Sequence, residues 1–227
     1  MKVFGKNVFN ELKNNVKQIK KVYLSSSFKD KDIIDFIKNN NIPYITVEKK
    51  KFDKMVNGNT QGIVLEVSEY EYKNIKEIDT TQKKIVILDH LEDPHNFGAI
   101  IRTCEAYGVK SIIIPKDRSV SVNSTVVKTS TGALEYVDIY EVTNLKVAID
   151  YLKDNGYFVY GAEADGKDYD SVDYSDKMVL VIGSEGHGIS RVVRDACDEI
   201  ISIPMRGHVN SLNASVSFGV LIYGIKN

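Results

Sequence analysis

From residue 84 onward the chain alternates short apolar runs with longer stretches of helical periodicity. The runs KIVILD (84–89), SIIIP (111–115), YFVY (157–160), MVLVI (178–182) and IISI (200–203) are continuous, not alternating. That is the pattern of strands buried on both faces of a parallel sheet. Helical patterns fall between them, at residues 96–107, 123–134, 145–155 and 189–195. Strand and helix in regular succession predict a doubly wound α/β domain. The final stretch has its own organisation. A short apolar strand at 200–205 leads through a polar loop, 206–213, into a closing helix with Asn213 or Ser211 as its N-cap. Ala214, Val216, Phe218, Val220, Leu221 and Ile225 cover most of that helix's circumference, which predicts burial on more than one side.

The first 83 residues carry a second, smaller pattern. Residues 4–16 read as an amphipathic helix with Val8, Phe9, Leu12 and Val16 on one face. Strands are expected at 22–25, 44–47 and 63–67, helices at 30–40 and 49–55, and a loop at 57–62. This suffices for a small α/β sandwich. The division expected is a first domain over 1–70, a polar linker over 71–83 and a second domain over 84–227.

Charge sharpens this division. The whole chain is nearly neutral, with a formal charge of −1. Residues 1–83 nevertheless hold sixteen lysines and no arginine against eleven carboxylates, and the remainder holds fourteen basic against twenty acidic residues. A basic first third suits an anionic partner such as nucleic acid; a solvated lysine surface is the bland alternative. No apolar run approaches the roughly 20 residues of a membrane span, and the first residues lack an apolar signal core, so a cytoplasmic protein is expected. Cys104 and Cys197 stand far apart with no metal-type spacing, as two free thiols would.

The residues exclude several common ligands of α/β sheets. After the first strand of the second domain, where a dinucleotide fold carries GxGxxG, the chain reads LDHLEDPHNFG. There is no GxxxxGK[ST] and no GxSxG. Glycines gather late, at Gly183, Gly186, Gly188 and Gly207, after two apolar runs. Ligands of open α/β sheets sit at the carboxyl ends of strands, so two glycine-bearing loops there would let backbone approach a flat ligand closely. Tight strand-to-helix turns would use the same glycines. Asp89, His90, Glu92, Asp93 and His95 are dense in metal-ligand types, but Pro94 interrupts them and no HxxxH spacing occurs, so a polar loop and no metal is expected.

Three segments considered together are more specific. LDHLEDPHNFGAIIRT (88–103), LVIGSEGHGIS (180–190) and IPMRGHVNSLNAS (203–215) resemble, in order and spacing, the three signatures of the SpoU/TrmH family of RNA ribose 2′-O-methyltransferases. The resemblance spans residues 84–227. FGKNV (4–8) and TQGIV (60–64) are similar to that family's L30e-like substrate-binding domain. The resemblance implies an α/β fold with a parallel-sheet SPOUT domain drawn through a trefoil knot and a small N-terminal L30e-like domain. It also implies a homodimer, S-adenosyl-L-methionine as cofactor and RNA as partner. For this layout the implied target is a guanosine in the peptidyl-transferase region of 23S rRNA. Another rRNA or tRNA nucleotide, an rRNA site whose methylation gives antibiotic resistance, and an inactive RNA-binding module are the alternatives.

Carried over position by position, the resemblance assigns the cofactor to Gly183, Ile203 and Leu212, with Met205 and Gly207 beside them. It assigns catalysis to Arg102, with Asn96, Glu185, Ser211 and Asn213 ordering the site. Taken singly, Ile203 and Leu212 read as core, Arg102 as a surface ion-pair partner, and Asn96 and Glu185 as helix caps. A guanidinium stays protonated at physiological pH, which favours phosphate anchoring over a free-base role for Arg102. In the basic first domain, Lys13, Lys17, Lys20, Lys21 and the run Lys49, Lys50 and Lys51 would neutralise phosphates.

Overall fold

The structure, a computed structural model, describes residues 1–56 and 58–225. Asn57, in the expected 57–62 loop, and the last two positions of the expected 84–227 domain lie outside these residues. The described chain divides into two compact units, Met1–Glu71 with Val122–Gly132, and Tyr72–Ser121 with the rest from Ala133.

In the first unit β1 (Lys2–Phe4), β2 (Ile19–Ser25), β3 (Tyr44–Val47) and β4 (Ile63–Val67) form one sheet in the order β1-β4-β2-β3. β4 is antiparallel to both neighbours, and β2 pairs with β3 in parallel. The expected helix over 4–16 is in fact a strand, a turn and a shorter helix. Gly5, at φ 104, breaks the chain between β1 and α1 (Lys6–Leu12), and a 3-10 segment (Lys13–Gln18) follows. Glycine occupies this left-handed backbone without the penalty a Cβ would bring. α1 and α2 (Lys31–Asn39) bury Phe9, Leu12, Ile33 and Ile37 against Val3, Val22, Leu24, Ile63 and Leu65. Burial of each such side chain stabilises the fold by roughly 1.5–3 kcal/mol before entropy is counted. α3 (Lys49–Phe52) is one turn that buries Phe52. The segment Val122–Gly132, which carries α5 (Ser124–Ser130), packs with this unit: Val127 leans on its core and Lys128 lies over the Phe4 ring at 5.3 Å.

The second unit is built on a parallel sheet. β5 (Lys84–Asp89), β6 (Ser111–Pro115), β7 (Asp138–Val142), β8 (Phe158–Asp168), β9 (Met178–Gly183) and β10 (Glu199–Ser202) pair in the order β10-β8-β9-β5-β6-β7. Every pairing is parallel. The continuous apolar runs are buried on both faces, as their composition predicts. Ile85, Ile87, Val179 and Val181 face α6 (Leu145–Asp154) and α7 (Arg191–Ala196). The alternate residues Val86, Leu88, Leu180 and Ile182 point the other way. On that side α4 (Pro94–Tyr107) and α8 (Ala214–Gly224) pack on each other, and α8 reaches β9. Residues 72–83 do more than link: Lys73 bridges to Tyr140 beside β7, Asn74 and Glu77 close a capping box, and Ile78 enters the core.

Two departures from the expected elements bear on function. β8 runs eight residues past the expected end at 160. Its ladder with β10 is also interrupted: Ile200 pairs with Gly161 but Ile201 pairs with Lys167, so residues 162–166 swing out between consecutive partners. At Gly166 a side chain is impossible, since a Cβ would lie 2.6 Å from the backbone carbon of Ile201.

Candidate functional site

The carboxyl ends of β8, β9 and β10 open onto a cavity of about 690 Å³, a size suited to a small-molecule ligand. One wall is the loop after β9. Ser184 and Gly188 exchange backbone hydrogen bonds, 3.0 and 2.9 Å, closing residues 184–188 into a tight ring. Gly183 permits this ring, because a Cβ there would sit 2.1 Å from the carbonyl carbon of Gly188. Gly186 and Gly188 have φ 84 and 66, conformations that favour glycine.

Carboxylates on two strands fix the exit of the ring. Glu163, on the β8 excursion, accepts a hydrogen bond from the Ile189 amide. Asp89, fully buried at the end of β5, accepts from the Ser190 amide at 2.6 Å and also binds the His90 Nδ1. The outer side of the excursion is tied down by Asp165, which pairs with both terminal nitrogens of Arg194 at 2.9 Å. The guanidinium hydrogen bond holds the Asp165 carboxyl below its usual range. Behind the excursion Cys197 donates to the Val193 carbonyl, and burial pushes its thiol up to about 12.

The opposite wall is the loop between β10 and α8. Ile203, Met205, Asn210, Ser211, Leu212 and Asn213 line it. Asn213 caps α8, its side-chain oxygen accepting from the Ser215 and Val216 amides at 3.0 and 3.3 Å. Its amide nitrogen donates to Glu185 Oε1 at 3.1 Å. The same carboxylate oxygen accepts from the Asn96 side-chain amide. Asn96 in turn donates to Asp93 at 3.0 Å, and its Oδ1 accepts from the Ser215 hydroxyl at 2.9 Å. One carboxylate thus joins the first turn of α4, the ring after β9 and the cap of α8. These are the three sequence signatures, brought to one point.

Of the residues singled out from sequence, Gly183, Glu185, Ile203, Met205, Ser211, Leu212 and Asn213 line the cavity. Asn96 sits behind it, buried, and reaches it through Glu185. It is not the N-cap of α4. Asp93 holds that position and accepts from the His95 amide, with Pro94 in the first turn. Gly207 is exposed and outside the cavity, and a Cβ there would meet nothing within 4 Å. Arg102 is on α4 with Asn96 but does not line the cavity. It is exposed, and among the described residues its side chain makes no hydrogen bond or ion pair. Sequence reasoning missed Glu163, Ala162 and Ala164, which line the cavity from β8. No local pattern marks them: residues 161–166 read GAEADG, a polar stretch after a buried strand. Asp89 reads from sequence only as a metal-ligand type, and among the described residues no metal-type cluster forms.

The chain is similar to known proteins in both sequence and fold. Residues 83–223 match the SpoU rRNA Methylase family, and residues 2–73 match the RNA 2′-O ribose methyltransferase substrate binding domain. A protein of Staphylococcus epidermidis named for the TrmH family of tRNA/rRNA methyltransferases is 46% identical over 217 residues, covering 91% of this chain and 87% of its own. Among solved structures, the SpoU methyltransferase AviRb from Streptomyces viridochromogenes, in complex with AdoMet, superposes with a TM-score of 0.83 at 21% identity, over 99% of this chain and 88% of that one. The AdoMet-bound rRNA methyltransferase from Sinorhizobium meliloti gives 0.80 at 24% identity, over 99% and 85%. The fold is shared with these structures, the family model spans well over half of the sequence, and the chain belongs to the SpoU/TrmH family of RNA methyltransferases.

Proposed function

We propose that the chain transfers a methyl group from S-adenosyl-L-methionine to a ribose 2′-hydroxyl in RNA, at a guanosine in the peptidyl-transferase region of 23S rRNA. The observation that carries this reading is the cavity between the Gly183 ring and the 203–213 loop, with all three signatures meeting at its edge. Its chemistry fits the donor. Ile182, Ile203, Leu212 and Leu221 offer apolar surface for an adenine, and the ring and the facing loop offer backbone polar groups. Glu163 and Glu185 are acidic, and among the described residues no lysine or arginine lines the cavity. Bound there, the donor would supply an electrophilic methyl on a cationic sulfur, with the sulfur keeping the bonding electron pair as the ribose oxygen takes the methyl and the hydroxyl proton passes to a neighbouring phosphate oxygen or to water.

The protein's own contribution is alignment. Gly183 and the carboxylate ties at Ile189 and Ser190 fix one wall, and Glu185 joins it to Asn96 and Asn213. Arg102 anchors the phosphate next to the acceptor ribose. Its exposed position and lack of an ion-pair partner among the described residues keep the guanidinium available to an incoming strand. The first unit, lysine-rich and matched to a substrate-binding domain, holds the RNA. Single-stranded or looped RNA is the form whose 2′-hydroxyl such a site can reach. We also propose a homodimer, a reading supported by the exposed apolar side chains Val216, Val220 and Tyr223 on α8, at i, i+4 and i+7, which are 50%, 36% and 60% exposed. No described helix is long and apolar enough to cross a membrane, and the cytoplasm, where rRNA is made, is the proposed location.

The decisive experiment maps 2′-O-methyl groups across ribosomal and transfer RNA from cells with and without the protein. Loss of one methyl on a 23S guanosine is expected, with its return on re-expression. An unchanged map would defeat the proposed activity, and loss at a different nucleotide would move the target while keeping the chemistry.

A further inference from the structure

The two acidic residues of the cavity are not equivalent. Glu185 shares one oxygen between the Asn96 and Asn213 side-chain amides, so its charge is partly spread over those groups. Glu163 accepts a single backbone hydrogen bond, from Ile189. Its carboxylate lies against Gly188, where a Cβ would fall 2.4 and 2.8 Å from the two oxygens. The missing side chain at 188 therefore makes room for the carboxylate, apart from the backbone's own demand for glycine at that φ. The β8 excursion delivers it there, and the Asp165–Arg194 pair holds the excursion from outside. A protein that needed only a brace for the Ile189 amide had neutral acceptors at hand. A carboxylate in the cavity wall, with no basic residue among the described lining, also sets the sign of the field inside.

We propose that Glu163 is a specificity-determining residue that favours the charged methyl donor over its neutral product. This rests on the cavity being the donor site. S-adenosylmethionine carries a sulfonium, and S-adenosylhomocysteine, with the same adenosine, carboxylate and ammonium groups, carries a neutral thioether. A fixed negative charge in the wall attracts the first more than the second. Methyl transfer removes the positive charge and with it that attraction, so the spent cofactor is released more easily.

The test is titration calorimetry of the full chain and Glu163→Gln with both ligands. Glutamine keeps an acceptor for the Ile189 amide and removes only the charge. The expected result is a loss of about tenfold in affinity for S-adenosylmethionine, the scale of one partly solvated charge pair, with S-adenosylhomocysteine changed less than about twofold. Equal loss for both ligands assigns Glu163 to bracing alone and overturns the proposal. The native chain supplies an independent measurement whatever the variant does: affinity for the cationic ligand must fall more steeply with salt than affinity for the neutral one. Parallel salt slopes overturn the proposal too. Failure of the native chain to bind either ligand overturns instead the reading of the cavity.

Discussion

The two walls of the cavity are made in opposite ways. Residues 184–188 are closed by a backbone ring and tied to β8 and β5 by Glu163 and Asp89. Residues 204–211 make no hydrogen bond among the described residues and are held at their ends, by β10 on one side and the Asn213 cap on the other. One wall is shaped before any ligand arrives. The other has backbone groups to give. Pre-set geometry secures alignment, and an unengaged loop permits entry and release. Glycine serves each wall differently: Gly183 cannot bear a Cβ, and Gly207 has open space around it.

The contrast can be broken at its strongest point. Gly183→Ala forces backbone against backbone and is expected to cost about 3 kcal/mol of stability and to abolish donor binding, checked by thermal melting and calorimetry. Gly207→Ala is expected to stay within about 0.5 kcal/mol of the native chain; equal damage at both sites would end the distinction. Arg102→Ala, outside both walls, is expected to lower methyl transfer at least about a hundredfold, the scale of a lost orienting contact, with donor affinity unchanged. Normal turnover would remove Arg102 from the mechanism. Asn213→Ala removes a helix cap and one amide from Glu185, and a loss of about 1 kcal/mol is expected, seen in the denaturation midpoint. The smallest effect concerns Cys197. Below its ordinary value of 9.0 the thiol is neutral folded or unfolded, and its contribution does not vary with pH. Above that, the unfolded chain ionises while burial holds the folded thiol to about 12, so stability falls as pH rises. Denaturation at pH values on either side of 9 should show a slope that Cys197→Ala lessens.

What the sequence made legible follows from how each element is buried. β5, β6 and β9 are readable because both faces are covered and the runs are unbroken. β7, DIYEV, escapes the pattern because it is an edge strand with Asp138 and Glu141 partly exposed. The second half of β8, AEADGKD, is polar and half-exposed, so its excursion is invisible from sequence, and Glu163 with it. α5 is shorter than the expected 123–134 helix because Thr131 and Gly132 turn left-handed, at φ 48 and 88. Residue type narrows the cap of α8 to Asn213 or Ser211, and the structure selects Asn213. The link from Asn96 to Glu185 joins residues 89 positions apart, a distance over which local pattern carries no signal.

That link has a temporal side. Chains emerge from the ribosome in sequence order, so Asn96 and Glu185 leave it before Asn213 and Ser215, which α8 brings to the same cluster. The sheet from β5 to β9 can settle while the cavity still has one side missing. A nascent methyltransferase would thus be catalytically silent until its last described helix docks. A chain cut short before Asn213 should assemble much of its core and still be unable to grip the methyl donor.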